Sequence, residues 1–116
     1  MTLTIELSEL KSPFYFERTA DYVSRLSLNF KEKGDYYITN CPFHTDKTPS
    51  LFLYQSNGTV RFKCFSDKCQ SGSWDIFAFI QKIEGCGFID SVKKFASYLE
   101  VDEVILPKGN ILKIHD

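Results

Sequence analysis

Two short pairs of residues, Cys41-x2-His44 and Cys64-x4-Cys69, constrain this chain more than any other feature of its sequence. Thiolate and imidazole donors arriving in close pairs are the ligand set that tetrahedral zinc takes. The nineteen residues between the pairs explain how they can meet. Within "SLFLYQSNGTVRFKCF" two β-rich runs flank Asn57-Gly58, the strongest short-range signal for a hairpin with a two-residue turn. Counting back from that turn, Tyr54 faces Arg61, Leu53 faces Phe62, Phe52 faces Lys63 and Leu51 faces Cys64. The knuckle "CPFH" lies just before Leu51, so pairing brings it back beside Cys64. Two half-sites distant in sequence become one site in space.

The four ligand positions are all filled by protein, which leaves none open for a catalytic water and predicts a structural metal. The same residues could instead be ordinary buried thiols beside a surface histidine, or a disulfide pair. A reducing compartment disfavours the disulfide. Cys86, in "EGCGF", reads as a small buried hydrophobe at a helix–helix turn, with a fifth ligand or a reactive thiol as the alternatives. His115 reads as a solvated tail residue. At 116 residues the chain has room for one modest core, and a metal staple is worth most at that size.

Helical periodicity appears at Phe16, Ala20, Val23 and Leu26 in "FERTADYVSRLSL", and predicts an amphipathic helix. "KEKGD" marks a turn, and "YYIT" reads as a short strand leading into Cys41. After the second cysteine pair, "SWDIFAFIQKIEG" and "GFIDSVKKFASYLEV" read as two packed helices, the first with Ser73 as its N-cap. The tail alternates around Pro107-Lys108-Gly109-Asn110, which predicts two short strands or an extended arm. The predicted class is α+β: a zinc-ribbon-like antiparallel sheet with the metal at the hairpin ends, an N-terminal helix and two C-terminal helices. We expect one domain over 1–116, with a core at 31–99, a helical arm at 1–30 and an extended tail at 100–116.

The net charge of −1 does not announce a nucleic-acid binder. Residues 41–70, however, carry four basic and two acidic side chains, the one segment with a positive excess. No apolar run approaches membrane-spanning length and the N-terminus lacks a signal peptide's positive charge, so a cytoplasmic protein without membrane partners is expected.

Alternation sorts the hairpin into two faces. Leu51, Leu53, Val60 and Phe62 share one face with Cys64, the natural core side. Phe52, Tyr54, Arg61 and Lys63, extended by Phe65, share the other. Aromatic rings among cations suit single-stranded nucleic acid, since bases stack while cations track phosphates. Burial of Phe52 and Tyr54 under the tail or first helix is the equally available alternative.

"CPFHTDKTPSLFLY", followed by "FKCF", Cys69 and "SGSWDIFAFIQKIEGCGFIDSVKKFA", resembles the Cys-His-Cys-Cys zinc-binding domain of bacterial and phage DNA primases. The likeness runs from about Lys31 to Leu99. It implies zinc ligands at Cys41, His44, Cys64 and Cys69 and a ribbon that contacts single-stranded DNA template, with contacts at Lys47, Arg61 and Lys63. The second half-site departs from the family pattern, with four intervening residues where two are common. No Asp-x-Asp pair for two-metal nucleotidyl transfer is present, so the chain is not expected to synthesise primers alone. The resemblance implies a nucleic-acid-binding zinc module of a priming apparatus, acting on a catalytic partner in trans or forming one domain of a larger primase. The short chain, with its own arms at both ends, favours a small stand-alone subunit, such as one from a phage, plasmid or other mobile element. Its partners would be a catalytic primase or polymerase and a replicative helicase. The alternative is a zinc-stabilised module that docks on such a protein without touching nucleic acid.

Overall fold

A computed structural model describes residues 2–26, 28–44, 48–66 and 72–115. Its centre is the hairpin. Strands β4 (Leu51–Ser56) and β5 (Thr59–Cys64) pair antiparallel, with Leu51 opposite Cys64, Phe52 opposite Lys63, Leu53 opposite Phe62 and Tyr54 opposite Arg61. Asn57 and Gly58 carry φ of 52° and 73°, the two positive values that a type I′ turn needs to match the strand twist. The register read from the sequence is the register found.

Three shorter strands widen the hairpin into a five-stranded antiparallel sheet. Strands β2 (Lys31–Glu32) and β3 (Tyr37–Thr39) add on the β4 side and β6 (Ser73–Trp74) on the β5 side, giving the order β2-β3-β4-β5-β6. The inner face supplies Leu51, Leu53, Val60 and Phe62, each fully buried. Helices α2 (Phe16–Ser24), α3 (Ile76–Glu84) and α4 (Phe88–Tyr98) contribute Phe16, Val23, Phe79, Ile80, Val92 and Phe95 to the same hydrophobic cluster. Phe62 and Phe79 stack face to face with centroids 4.2 Å apart, the closest ring pair joining sheet to helix.

Three expectations need correction. The first helix ends at Ser24, with Arg25 and Leu26 donating to the carbonyls of Tyr22 and Val23, a tightened last turn that stops before Leu28. Leu26 and Leu28 still pack against the core from outside the helix. The N-cap of α3 is Asp75 and not Ser73: the Asp75 carboxylate accepts from the Ala78 N–H at 2.8 Å. Ser73 is instead a strand residue opposite Lys63. Gly85, at φ 65°, closes the helix in the left-handed conformation that glycine adopts without a Cβ penalty.

The stretch 1–30 is not simply helical. It opens with β1 (Thr4–Glu6) and the single turn α1 (Leu7–Leu10). Strand β1 pairs parallel with β7 (Glu103–Ile105), which pairs antiparallel with β8 (Ile111–Lys113), forming a second, three-stranded sheet from the two terminal segments. Of the two short strands or extended arm that the alternation allowed, the tail forms the strands. Leu7, Leu10, Val101 and Val104 join the core cluster, so both terminal segments bury apolar side chains against it. The Val60 N–H, on the side of β5 that β6 is too short to reach, donates to the Lys11 carbonyl at 2.7 Å.

Candidate metal centre and the sheet face above it

Strand β3 delivers the first half-site. Its last residue, Thr39, is followed by Asn40 and the buried Cys41, and the chain turns at Pro42-Phe43 to present His44. Phe43 anchors this knuckle, with its ring edge-on to Trp74 at 5.4 Å and to Phe79 at 6.0 Å. Lys82 from α3 lies over the same ring at 4.7 Å. Cys64, last residue of β5, brings the second half-site from the buried face of the hairpin.

The ligand atoms of Cys41, His44 and Cys64 all lie within 4.8 Å of one another. Two ligands bound to one zinc at about 2.0–2.3 Å and a tetrahedral angle stand roughly 3.5–3.8 Å apart, so this spacing suits a shared ion. His44 Nε2 is 3.2 Å from Cys64 Sγ, and Ser50 Oγ is 3.4 Å from the same sulfur. Two sulfurs and a nitrogen make a soft donor set, suited to zinc over magnesium or calcium. Cys69 and Lys47 lie outside the described residues. Cys86 is half-buried against the core between α3 and α4, outside the cluster, and His115 is exposed.

The opposite face of the hairpin is neither buried nor bare. Phe52, Tyr54, Arg61 and Lys63 are half-exposed, and Phe65, just past β5, is 57% exposed. The side chains on it are held in place. Arg61 donates through Nε and Nη2 to Ser73 Oγ at 3.1 and 2.9 Å, and Lys63 sits over the Phe65 ring at 5.0 Å. Phe65 meets Phe52 edge-on at 4.9 Å, and Tyr36 also packs against Phe52, at 5.1 Å.

Pairing across the sheet adds residues that sequence reasoning missed. Ile38 is opposite Phe52 and Lys31 is opposite Ile38, so Lys31, Ile38, Phe52 and Lys63 form one transverse row on this face. The signal for Ile38 was present in "YYIT". Which of its alternate positions points outward depends on how β3 docks on β4, and no local pattern encodes that.

A sulfur-nitrogen cluster at the open end of an antiparallel hairpin, packed against helices, defines a metal-ribbon module of the α+β class. The family model of the CHC2 zinc finger matches residues 12–108, and the chain belongs to that family. The DNA primase of Mycoplasma pneumoniae is 35% identical over 102 residues, 88% of this chain and 15% of that protein. That of Mycolicibacterium smegmatis is 45% identical over 56 residues, 48% of this chain and 8% of that protein. The crystal structure of the Aquifex aeolicus primase zinc-binding and RNA polymerase domains superposes with a TM-score of 0.55 at 30% identity, covering 72% of this chain and 20% of that one. The chain is thus a DNA-primase-related module that spans less than a fifth of the length of the Mycoplasma relative.

Proposed function

We propose that this chain is a zinc-stabilised single-stranded-DNA-binding module of a DNA priming apparatus, which helps a catalytic partner recognise template and begin a primer. The observation that carries this reading is the hairpin register. It places Phe52, Tyr54, Arg61 and Lys63 on one accessible face while Leu51, Leu53, Val60 and Phe62 anchor the other in the core.

Cys41, His44 and Cys64, with Cys69 as the fourth ligand, would hold a structural Zn2+ that cross-links the knuckle to the end of β5. Rings at Phe52, Tyr54 and Phe65 offer stacking surfaces worth about 1–3 kcal/mol per base. Lys47, Arg61 and Lys63 would meet the phosphates. Template DNA, a catalytic primase or polymerase and a replicative helicase are the partners that such a role requires, in the cytoplasm where replication proceeds.

Titration of short labelled single-stranded oligonucleotides at several salt concentrations tests the reading. Replacing both Arg61 and Lys63 by alanine should reduce the slope of log affinity against log salt by about 1.4, at roughly 0.7 per phosphate contact on single strands. Phe52→Ala and Phe65→Ala should weaken binding with the slope unchanged. Undetectable binding, together with priming that is indifferent to the Arg61 and Lys63 changes, would remove the proposal.

A second reading, docking on a replication protein without nucleic-acid contact, draws on the terminal segments, where Leu3 and Ile111 are 45% and 59% exposed beside β1 and on β8. Pull-down with the candidate enzyme separates the two. A tight complex lost on Ile111→Asp but untouched by changes on the hairpin face would favour docking.

A further inference from the structure

Two clefts of similar size open along the short hairpin formed by β2 and β3, and they differ in charge. At the turn end, a cleft of about 500 Å³ is lined by Glu17, Glu32 and Asp35 together with Tyr36 and Tyr54. At the metal end, a cleft of about 540 Å³ is lined by Asn29, Lys31, Ile38, Asn40 and Pro42, next to Cys41 of the knuckle. Among the described residues, and apart from Cys41 of the metal site, Lys31 is the one ionisable group lining the second cleft, and no carboxylate lines it. The three carboxylates around the first cleft repel a polyanion and the Lys31 ammonium at the second attracts one, over a screening length of about 8 Å at physiological salt.

The second cleft is also continuous with the face already described. Lys31 and Ile38 belong both to its lining and to the transverse row that runs on through Phe52 to Lys63. Its volume lies within the roughly 300–1,000 Å³ of sites that enclose small organic groups. Asn29 and Asn40 each offer an amide donor and an acceptor, the pair of functions that reads a base edge. The loop carrying Asn29 is tied down by its own carbonyl, which accepts from Thr39 Oγ1 at 3.1 Å.

We infer that this cleft takes an unstacked base of the bound single strand, with Lys31 on the adjoining phosphate and Asn29 and Asn40 on the base edge. The inference rests on the proposed single-strand binding and adds the direction of the path and a place where base identity is read. The strand crosses the sheet along the Lys31–Ile38–Phe52–Lys63 row at the metal end. Tyr54, which shares the other cleft with three carboxylates, contributes least of the aromatic positions.

The test uses the full zinc-loaded chain and fluorescence anisotropy with oligo-dA, oligo-dC and oligo-dT probes. Lys31→Ala should reduce the salt slope by about 0.7, the value of one phosphate contact on a single strand. Asn40→Ala should leave the slope alone and level the affinities for the three probes. Lys31 and Asn40 are exposed, so unchanged zinc content and circular dichroism are expected to confirm that both variants fold. If both variants match the unaltered protein in slope and probe preference while Lys63→Ala still weakens binding, the cleft assignment is overturned and the hairpin face stands. If the unaltered protein binds none of the probes, the cleft and the face fall together.

Discussion

Asp75 shows how much one side chain can settle in this chain. Its carboxylate caps α3 through Ala78 and stands 3.5 Å from Lys11 Nζ, joining the helix to the N-terminal segment. Asp75→Ala should cost about 1 kcal/mol, the usual value of a lost N-cap. Asp75→Asn should keep most of that, because the partly exposed ion pair adds little. Urea unfolding of the two variants decides, and equal losses would assign the role to the charge. Asp21 offers a pH-dependent counterpart. The Tyr98 hydroxyl donates to its Oδ2 and holds the carboxyl below its ordinary range, against an opposing effect of burial and with help from Arg25, 3.3 Å away, and Arg18. A depressed folded pKa stabilises the protein above the unfolded value and loses that contribution as pH falls through the folded one. Tyr98→Phe should therefore move the Asp21 titration up toward the ordinary carboxylate range and flatten the acid limb of the stability profile below about pH 4. An NMR titration of Asp21 that does not move in this variant would contradict the assignment.

At the scale of elements, the hairpin carries the most consequence because one turn sets the faces of the whole ribbon. Gly58 sits at φ 73° with nothing within 4 Å of where a Cβ would stand, so Gly58→Ala meets a backbone penalty and no clash. That penalty is about 1–2 kcal/mol. Asn57→Gly, at φ 52°, should be close to neutral, since glycine accepts the left-handed region freely. Thermal unfolding of the two variants checks both statements, and a neutral Gly58→Ala would mean that the turn relaxes without disturbing the register. The same element shows where local signals stop. Asn57-Gly58 and strict alternation made β4 and β5 legible. The end of α2 was not, because Leu26 continues the helical spacing from Val23 while it, like Leu28, packs on the core from non-helical backbone. Ser73 reads as a helix cap on sequence grounds, yet the strand pairing with Lys63 and the hydroxyl contact with Arg61 claim it.

For the molecule as a whole, the division of labour between core and metal is the central question. Phe62, Phe79, Ile80, Val92 and Phe95 are fully buried between sheet and helices, whereas the knuckle around Cys41 and His44 joins that core at its edge, through Phe43 on Trp74 and Phe79. Chelation should therefore lower the melting temperature and loosen the knuckle while most of the helical circular dichroism survives at room temperature. Ligand binding free energy is folding free energy only for the part the metal organises. Complete loss of helical signal on adding EDTA would show that the core does not stand without the ion.

The sequence alone determined the hairpin, its register, its buried and open faces, and the meeting of Cys41 and His44 with Cys64. All of these follow from one two-residue turn and the period of two, which are local rules. Tertiary structure decided what no local rule reaches. Strand β1 pairs in parallel with β7 across nearly the full length of the chain, a three-residue strand whose alternation is too short to announce it. Docking of β2 and β3 brought Lys31, Tyr36 and Ile38 onto the open face and left one cleft acidic and the other basic. The physical reason is the same in both cases: pairing partners far apart in the chain are chosen by burial of apolar side chains in the common core, and that choice is made only when the whole chain has collapsed.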